Sequence, residues 1–353
     1  MQTTEGLSGK IRYPGVDLAK VVAMLFVLIR HAVHYGIPSS ADQGLMSAHI
    51  VIYGLAASCI DLFALCTGFL CIRSNVRRSR LAVLWLQVVF WGIGSLLAAQ
   101  FIFGARFPTS AYLQALLPVF NDQYWYFTAY FLLFFFIPLL NCGMLALSRR
   151  QATELMIALF VFVCLYSLQP TDLFCMRKGY SFPWLMILYL FGAYIRLYGT
   201  AIRWRPSWCF SLAFVVANLS SLEALRRLFK GKDPFAGNHD LMSYVSPLTL
   251  VVAILLFLAF LNIRFKGERA AKILKTVAAT TFGVYLIHVQ PIFFRTVWID
   301  RLRNVLMESI FAYIAFIVLF SLISYCLMSV LDYLRIRLFD WLKVRDRLSF
   351  LDF

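Results

Sequence analysis

The chain has 353 residues, 61% of them hydrophobic and 14% charged, with a mean hydropathy of +0.78. Soluble domains run nearer 45–50% apolar and about 25% charged, so the composition excludes a soluble fold and predicts an integral membrane protein. The formal charge of +16 does not point to nucleic acid, because basic cytoplasmic loops facing anionic headgroups account for it.

The apolar runs are continuous and do not alternate with period two, which predicts helices rather than barrel strands. Runs of about 17–25 apolar residues predict an all-α polytopic protein of about ten transmembrane helices. They lie at roughly 18–36, 48–72, 81–103, 124–147, 154–169, 182–198, 207–222, 243–263, 276–294 and 306–331. Across alternate connections Lys and Arg divide 21 to 10, which predicts that both termini are cytoplasmic. The first run follows Lys10 and Arg12, is too long for a signal-peptide core and lacks a small-residue cleavage site, so it is expected to stay as a span. One membrane domain over 1–353 is expected, with no soluble domain, in a bacterial cytoplasmic membrane. The longest connection, about 223–242, contains Gly231, Pro234, Gly237, Asn238 and His239 and reads as a non-cytoplasmic lid or acceptor-binding loop. Cys59, Cys66, Cys71, Cys142, Cys164, Cys209 and Cys326 fall in or beside apolar runs without a CxxC pair. They read as small buried hydrophobes, with no disulfide framework and no zinc site.

The first span, DLAKVVAMLFVLIRHAVH from Asp17 to His34, carries Lys20, Arg30, His31 and His34. Each ionisable group in hydrocarbon costs about 3 kcal/mol on insertion scales, so such groups rarely lack a task. Eleven helical steps of roughly 100° bring His31 back to within about 20° of the Lys20 face, about 16 Å along the axis. This face is expected to line a cavity entered by a long substrate. His31 reads as a general base for a hydroxyl, against the plainer reading of an imidazole hydrogen-bonded between helices. Lys20 reads as a cation for a phosphate-bearing ligand from the cytoplasm, against that of a snorkelling lysine. Arg30 either pairs with a carboxylate or approaches the outer interface. His34, one turn past His31, reads as a second polar wall of the cavity. The His-x-x-His pair has no third ligand, and no metal is expected.

Two later spans bring ionisable groups to a similar depth. Asp61, within IDLFALCTGFL, needs a partner. It either orients an imidazole, as the acid of a hydrolytic triad does, or forms a salt bridge with Arg30. His288, within TFGVYLIHVQP, has Tyr285 one turn before it and Pro291 after it, where the helix should loosen. At the opening of span four, Asn121, Asp122, Gln123, Tyr124, Trp125 and Tyr126 read either as an interfacial aromatic belt or as a platform for a sugar ring. Walker A, GxGxxG, G-x-S-x-G, HExxH and H-x4-D patterns are absent.

In order along the chain, Lys20-(x)10-His31 after GVDLAK, Asp61-Leu-Phe-Ala-Leu-Cys-Thr-Gly-Phe-Leu, Gln123-Tyr-Trp-Tyr and Tyr285-Leu-Ile-His288 resemble the membrane acyltransferase 3 family, the O-acyltransferases of bacterial polysaccharides and related glycans. Each motif is weak alone, but the four together cover nearly the whole chain. Two positions depart from the family pattern. Lys20 stands where arginine is more usual, which removes a bidentate phosphate fork, and Thr67 replaces the usual serine. The SGNH hydrolase-like domain of some members is not present, so the resemblance implies a stand-alone enzyme. It implies transfer of an acyl group, most simply acetyl, from cytoplasmic acyl-CoA as co-substrate to a hydroxyl of a glycan or lipid-linked glycan. In that scheme His31, Asp61 and His288 are catalytic, Lys20 and Arg30 hold the donor, and His34, Tyr124, Trp125 and Tyr285 contact substrate. A flippase for a lipid-linked glycan, with the polar cluster as a proton relay, is the alternative from another class, although paired broken helices and repeat symmetry are lacking. A structural scaffold in a glycan-assembly complex is the third.

Overall fold

Helix occupies each of the ten apolar stretches in the computed structural model, which describes all residues except 1–3, 6–10, 37–41, 122, 170, 200–203, 235–240, 266, 292–293, 295–301, 303–308 and 353. Lys10, Asp122, Arg203, Gly237, Asn238, His239, Lys266, Arg295, Arg301 and Arg303, and parts of the last two expected spans, lie outside the described residues. The helices are α1 (Pro14–Tyr35), α2 (Gln43–Leu55), α3 (Cys59–Cys71), α4 (Arg78–Phe103), α5 (Thr109–Leu116), α6 (Trp125–Ala146), α7 (Arg149–Tyr166), α8 (Phe182–Tyr194), α9 (Pro206–Phe229), α10 (Pro247–Asn262), α11 (Glu268–His288) and α12 (Ile310–Trp341). A two-residue antiparallel strand pair, Thr4–Glu5 with Ile11–Arg12, precedes α1.

Among the described residues seven helical segments are long and apolar enough to cross a membrane. They cover the second, third, fourth, sixth, seventh, ninth and tenth expected spans. The eighth, α10, is a shorter apolar helix. The first and fifth, α1 and α7, each carry three charged side chains: Asp17, Lys20 and Arg30 in α1, and Arg149, Arg150 and Glu154 in α7. The outer surface is apolar, with Phe101, Trp208, Phe311 and Leu327 all more than 60% exposed. Acyl chains are as apolar as leucine, so such a surface is at home in a bilayer. The same reason corrects the reading of the cysteines. Cys59, Cys66 and Cys209 are buried, but Cys142 and Cys326 are exposed on the helix bundle, and all eight are free thiols.

Two boundaries differ from the run-length reading. The second span is not one helix: α2 ends at Leu55 and α3 starts at Cys59, with a turn at Ala56–Ser58 between them. The turn is buried. Its amides are satisfied locally, Ala56 N–H donating to Ile52 O and Ala57 N–H to Gly54 O, so the break is tolerated within the bundle. The last helix runs ten residues beyond position 331, to Trp341. That extension carries Asp332 and Arg335 into the interior, where both are buried. Arg335, one of the 21 Lys and Arg read from the sequence as cytoplasmic-loop charge, is therefore not a loop cation.

α1 is the central helix, packed against α3, α10, α11 and α12. Small residues set the closest crossing beside it. A Cβ added at Gly68 of α3 would overlap the Tyr189 carbonyl of α8, and one at Gly192 of α8 would overlap the Leu65 carbonyl of α3. Backbone thus meets backbone at this crossing, as small-residue contacts permit in membrane helices.

Candidate active site

The two histidines expected at mid-depth meet. His31 Nδ1 of α1 and His288 Nε2 of α11 stand 2.6 Å apart. Their rings lie nearly parallel, with centroids 4.9 Å apart. Phe294 sets its edge against both, at 5.6 Å from His31 and 5.2 Å from His288. His288 is fully buried, whereas His31 is partly exposed. One proton is shared in this contact. If His31 Nδ1 donates it, His31 Nε2 is left with its lone pair free to accept a proton.

Asp61 is not part of the pair. It lies in the first turn of α3, fully buried, and its Oδ1 accepts from Trp184 Nε1 of α8 at 3.0 Å. Its other oxygen has no hydrogen-bond partner among the described residues. Arg30 forms no ion pair with it among the described residues. The Arg30 guanidinium donates instead to Tyr53 Oη at 3.0 Å and to the Met242 carbonyl at 3.2 Å. It lies over the Tyr53 and Tyr244 rings, 4.0 and 4.7 Å from their centroids. Two aromatic faces and a carbonyl thus clasp this buried cation where a carboxylate was one expectation. His34 is exposed and packs against Tyr35 and Tyr53.

Lys20 lies elsewhere, on the wall of a cavity of about 1000 Å3. Arg73, Arg77, Arg80 and Arg196 share that wall, so five cations face one space. The Arg196 guanidinium is held over the Tyr13 ring at 4.2 Å and the Phe69 ring at 5.1 Å. Of these five, the sequence reading assigned only Lys20 to a ligand. Arg73, Arg77, Arg80 and Arg196 belong to the 21 Lys and Arg of the connections read as cytoplasmic, where each reads singly as loop charge. Arg30 is not among the lining residues. Phe63, Thr67, Tyr126, Thr281 and Phe282 also line the cavity.

An aromatic layer separates this cavity from the histidine pair. Tyr285, one turn before His288 on α11, stacks on Phe282 with centroids 6.1 Å apart. Its hydroxyl accepts from the Tyr126 amide at 3.4 Å. Tyr124 is buried, with its ring edge toward Tyr285, and Trp125 packs on Tyr180 at 4.7 Å. Tyr124 therefore packs inside the protein and presents no open face for a sugar.

The sequence model of a family described as an acyltransferase domain, the acyltransferase 3 family, matches residues 13–330. The chain belongs to that family. No curated protein and no solved structure matches it. The match runs from Tyr13, before the Lys20 face, to a point just short of Asp332, and so covers the histidine pair and the basic cavity of this acyltransferase. Family membership makes the chain a transferase of acyl groups, and its apolar helices make it a multi-pass membrane protein. Among the described residues of the acyltransferase no group of three or more His, Cys, Asp or Glu side chains is placed to hold a metal ion.

One buried polar cluster of the acyltransferase was not anticipated. Arg335 Nε and Nη2 donate to the Asp332 carboxylate at 2.8 and 2.9 Å, and Trp91 Nε1 of α4 donates to the same carboxylate at 2.9 Å. Gln87 of α4 lies beside them, and turning its amide lets its oxygen accept from Arg335 Nη2 and Gly283 N–H, both at 3.3 Å. A Cβ at Gly283 of α11 would overlap the Asp332 carboxylate. The cluster ties α4, α11 and α12 together behind the wall formed by Thr281 and Phe282. An i, i+3 Asp–Arg pair was the available signal, but it sat beyond the expected end of the span.

Proposed function

We propose that the protein transfers an acyl group, acetyl in the simplest case, from acyl-CoA to a sugar hydroxyl of a glycan or lipid-linked glycan. The observation that carries this reading is the hydrogen-bonded His31–His288 pair, one aromatic layer from the inner wall of a cavity with five cations. A nucleotide donor with several phosphates needs such a cluster, because each phosphate contact is a charge-assisted hydrogen bond. Lysine at position 20 supplies a point charge, and the nearby arginines supply the planar forks it lacks. In this reading ten spans cross the membrane, both termini are cytoplasmic, and the basic cavity opens to the cytoplasm.

The chemistry follows from the pair. His31 Nδ1–H donates to His288 Nε2, which leaves His31 Nε2 as the base. It removes the proton of the acceptor hydroxyl as the oxygen attacks the thioester carbonyl. The C–O bond forms, the C–S bond breaks, and the departing CoA thiolate takes the proton from His31. His288 does for His31 what a carboxylate does in a hydrolytic triad: it fixes the tautomer and steadies the imidazolium. Asp61, bonded to Trp184, acts by holding α3 and α8 in register rather than by touching the imidazoles. In this reading the thioester passes Tyr285 to reach His31.

The test is His31→Ala. The variant is expected to insert, to bind acetyl-CoA, and to leave the cell's glycan without acyl groups by mass spectrometry. Wild-type acylation in this variant would end the assignment. A flippase, by contrast, would neither bind acetyl-CoA nor release free CoA.

A further inference from the structure

A second cavity, of about 380 Å3, is lined by Gln114 of α5, Asn121 and Gln123 of the loop before α6, and Gln290 just after α11. Phe107 and Pro291 supply apolar faces to the same space, and none of its described lining residues is ionisable. The order of residues along α11 sets the two cavities apart. Ala278, Ala279, Thr281 and Phe282 line the basic cavity, His288 follows, and Gln290 and Pro291 line the amide cavity. Phe282 and Gln290 are eight residues apart, about 12 Å of helical rise. The α4 helix repeats the order, with Arg80 and Leu84 on the basic cavity and Gly92 and Leu96 on the amide cavity. The histidine pair thus stands between a charged space and one whose described lining carries no charge.

We infer that the amide-lined cavity is the acceptor site and that it takes a neutral sugar. This rests on the acyl-transfer reading above. Carboxamides offer a donor and an acceptor on one planar group, which suits vicinal hydroxyls, while Phe107 and Pro291 suit the C–H face of a ring. A uronate or phosphorylated sugar would bring a charge for which none of the described lining residues provides a counter-ion. The volume sits at the small end of the range of about 300–1000 Å3 for ligand pockets. Asn121 braces the site: its Nδ2 donates to the Gln114 carbonyl at 2.8 Å, and its Oδ1 accepts from the Gln123 amide at 3.3 Å. The loop that opens span four contributes amides to this site, while the adjacent Tyr124 packs inward.

The test uses the full chain in its own cells and in lipid nanodiscs. Gln114→Ala/Gln123→Ala is expected to lower glycan acylation about tenfold, the loss of two ordinary hydrogen bonds, and Ala111→Trp, a plug at another residue lining the same cavity, is expected to abolish it. Acetyl-CoA binding to the purified variants should match wild type, which shows that they are folded. Wild-type acylation in both variants would overturn the acceptor assignment, as would a mass spectrum with acyl groups only on uronate residues. A wild-type protein that binds no acetyl-CoA would instead sink the acyl-transfer reading beneath it.

Discussion

Asp332→Asn isolates the buried ion pair behind the wall of the basic cavity. In the native protein the Asp332 carboxylate is 0% exposed and accepts two bonds from Arg335 and one from Trp91. Asparagine keeps an oxygen for Trp91 but removes the charge that balances a guanidinium only 7% exposed. Breaking a buried pair from one side costs about 3–5 kcal/mol, because the remaining charge stays desolvated. Exposed pairs such as Arg150–Glu154, whose side chains are 89% and 59% exposed, are worth about 0–1 kcal/mol. The expected loss is therefore several times that of a surface pair and a large part of a typical net stability of about 5–15 kcal/mol. Unfolding in mixed micelles of increasing dodecyl sulfate, followed by the fluorescence of the eight tryptophans, reads it directly. Asp332→Asn/Arg335→Met should recover most of the loss, since the stranded charge is gone. A loss below about 1 kcal/mol for Asp332→Asn would refute the view of the pair as a desolvated clamp.

Replacing Lys20 with Met should raise the KM for acetyl-CoA about tenfold or more, the value of one charge-assisted hydrogen bond, and should flatten its salt dependence; an unchanged KM would remove Lys20 from the donor site. His288→Ala should lower kcat with little change in the KM for acetyl-CoA, because His288 touches His31 and not the basic cavity; a change confined to KM would contradict its role as orienter. Gly68→Ala should cost about 1–3 kcal/mol by pushing α3 off α8, while Gly94→Ala, with nothing within 4 Å of the added carbon, should be neutral or slightly stabilising; equal effects in micellar unfolding would sink the close-crossing argument. Near the C-terminus, Ser79 donates from its hydroxyl and its amide to Asp352 at 2.6 and 2.8 Å and holds that carboxyl below its usual range. This contact is fully present above the ordinary carboxylate value of about 3.9 and is lost as pH falls through the lowered one. The protection of the Ser79 amide, taken as its exchange rate relative to the intrinsic rate at each pH, should therefore fall as pH drops through the lowered value, and a protection factor unchanged by acidification would exclude the contact.

Much of the helical architecture was legible because continuous apolarity is a strong signal in a chain that must satisfy its backbone internally. The breaks were less so. Ala56 to Ser58 interrupt a stretch of unbroken hydrophobicity, and hydropathy does not distinguish a helix from a buried turn of small residues that satisfies its own amides. The end of α12 was misplaced for the opposite reason. Asp332 and Arg335 look like the start of a loop to any scale that scores side chains singly, yet as a bidentate pair they are both buried in the bundle, and the helix continues to Trp341.

The same limit explains which site residues could be paired in advance. His31 and His288 were expected at one depth and do touch, since depth along a helix follows directly from residue count. Partner choice across helices does not. Asp61 and Arg30 shared that depth and opposite charge, but the rotation of α1 gives Arg30 to the Tyr53 and Tyr244 rings while Trp184 takes the carboxylate. An indole N–H and two aromatic faces can each satisfy a buried polar group without forming an ion pair, so opposite charge at equal depth selects no partner by itself. The basic cavity gathers its cations from α1, the connection after α3, the start of α4 and the turn after α8. Four of its five charges therefore read individually as ordinary loop basicity, and only packing reveals that they face one space.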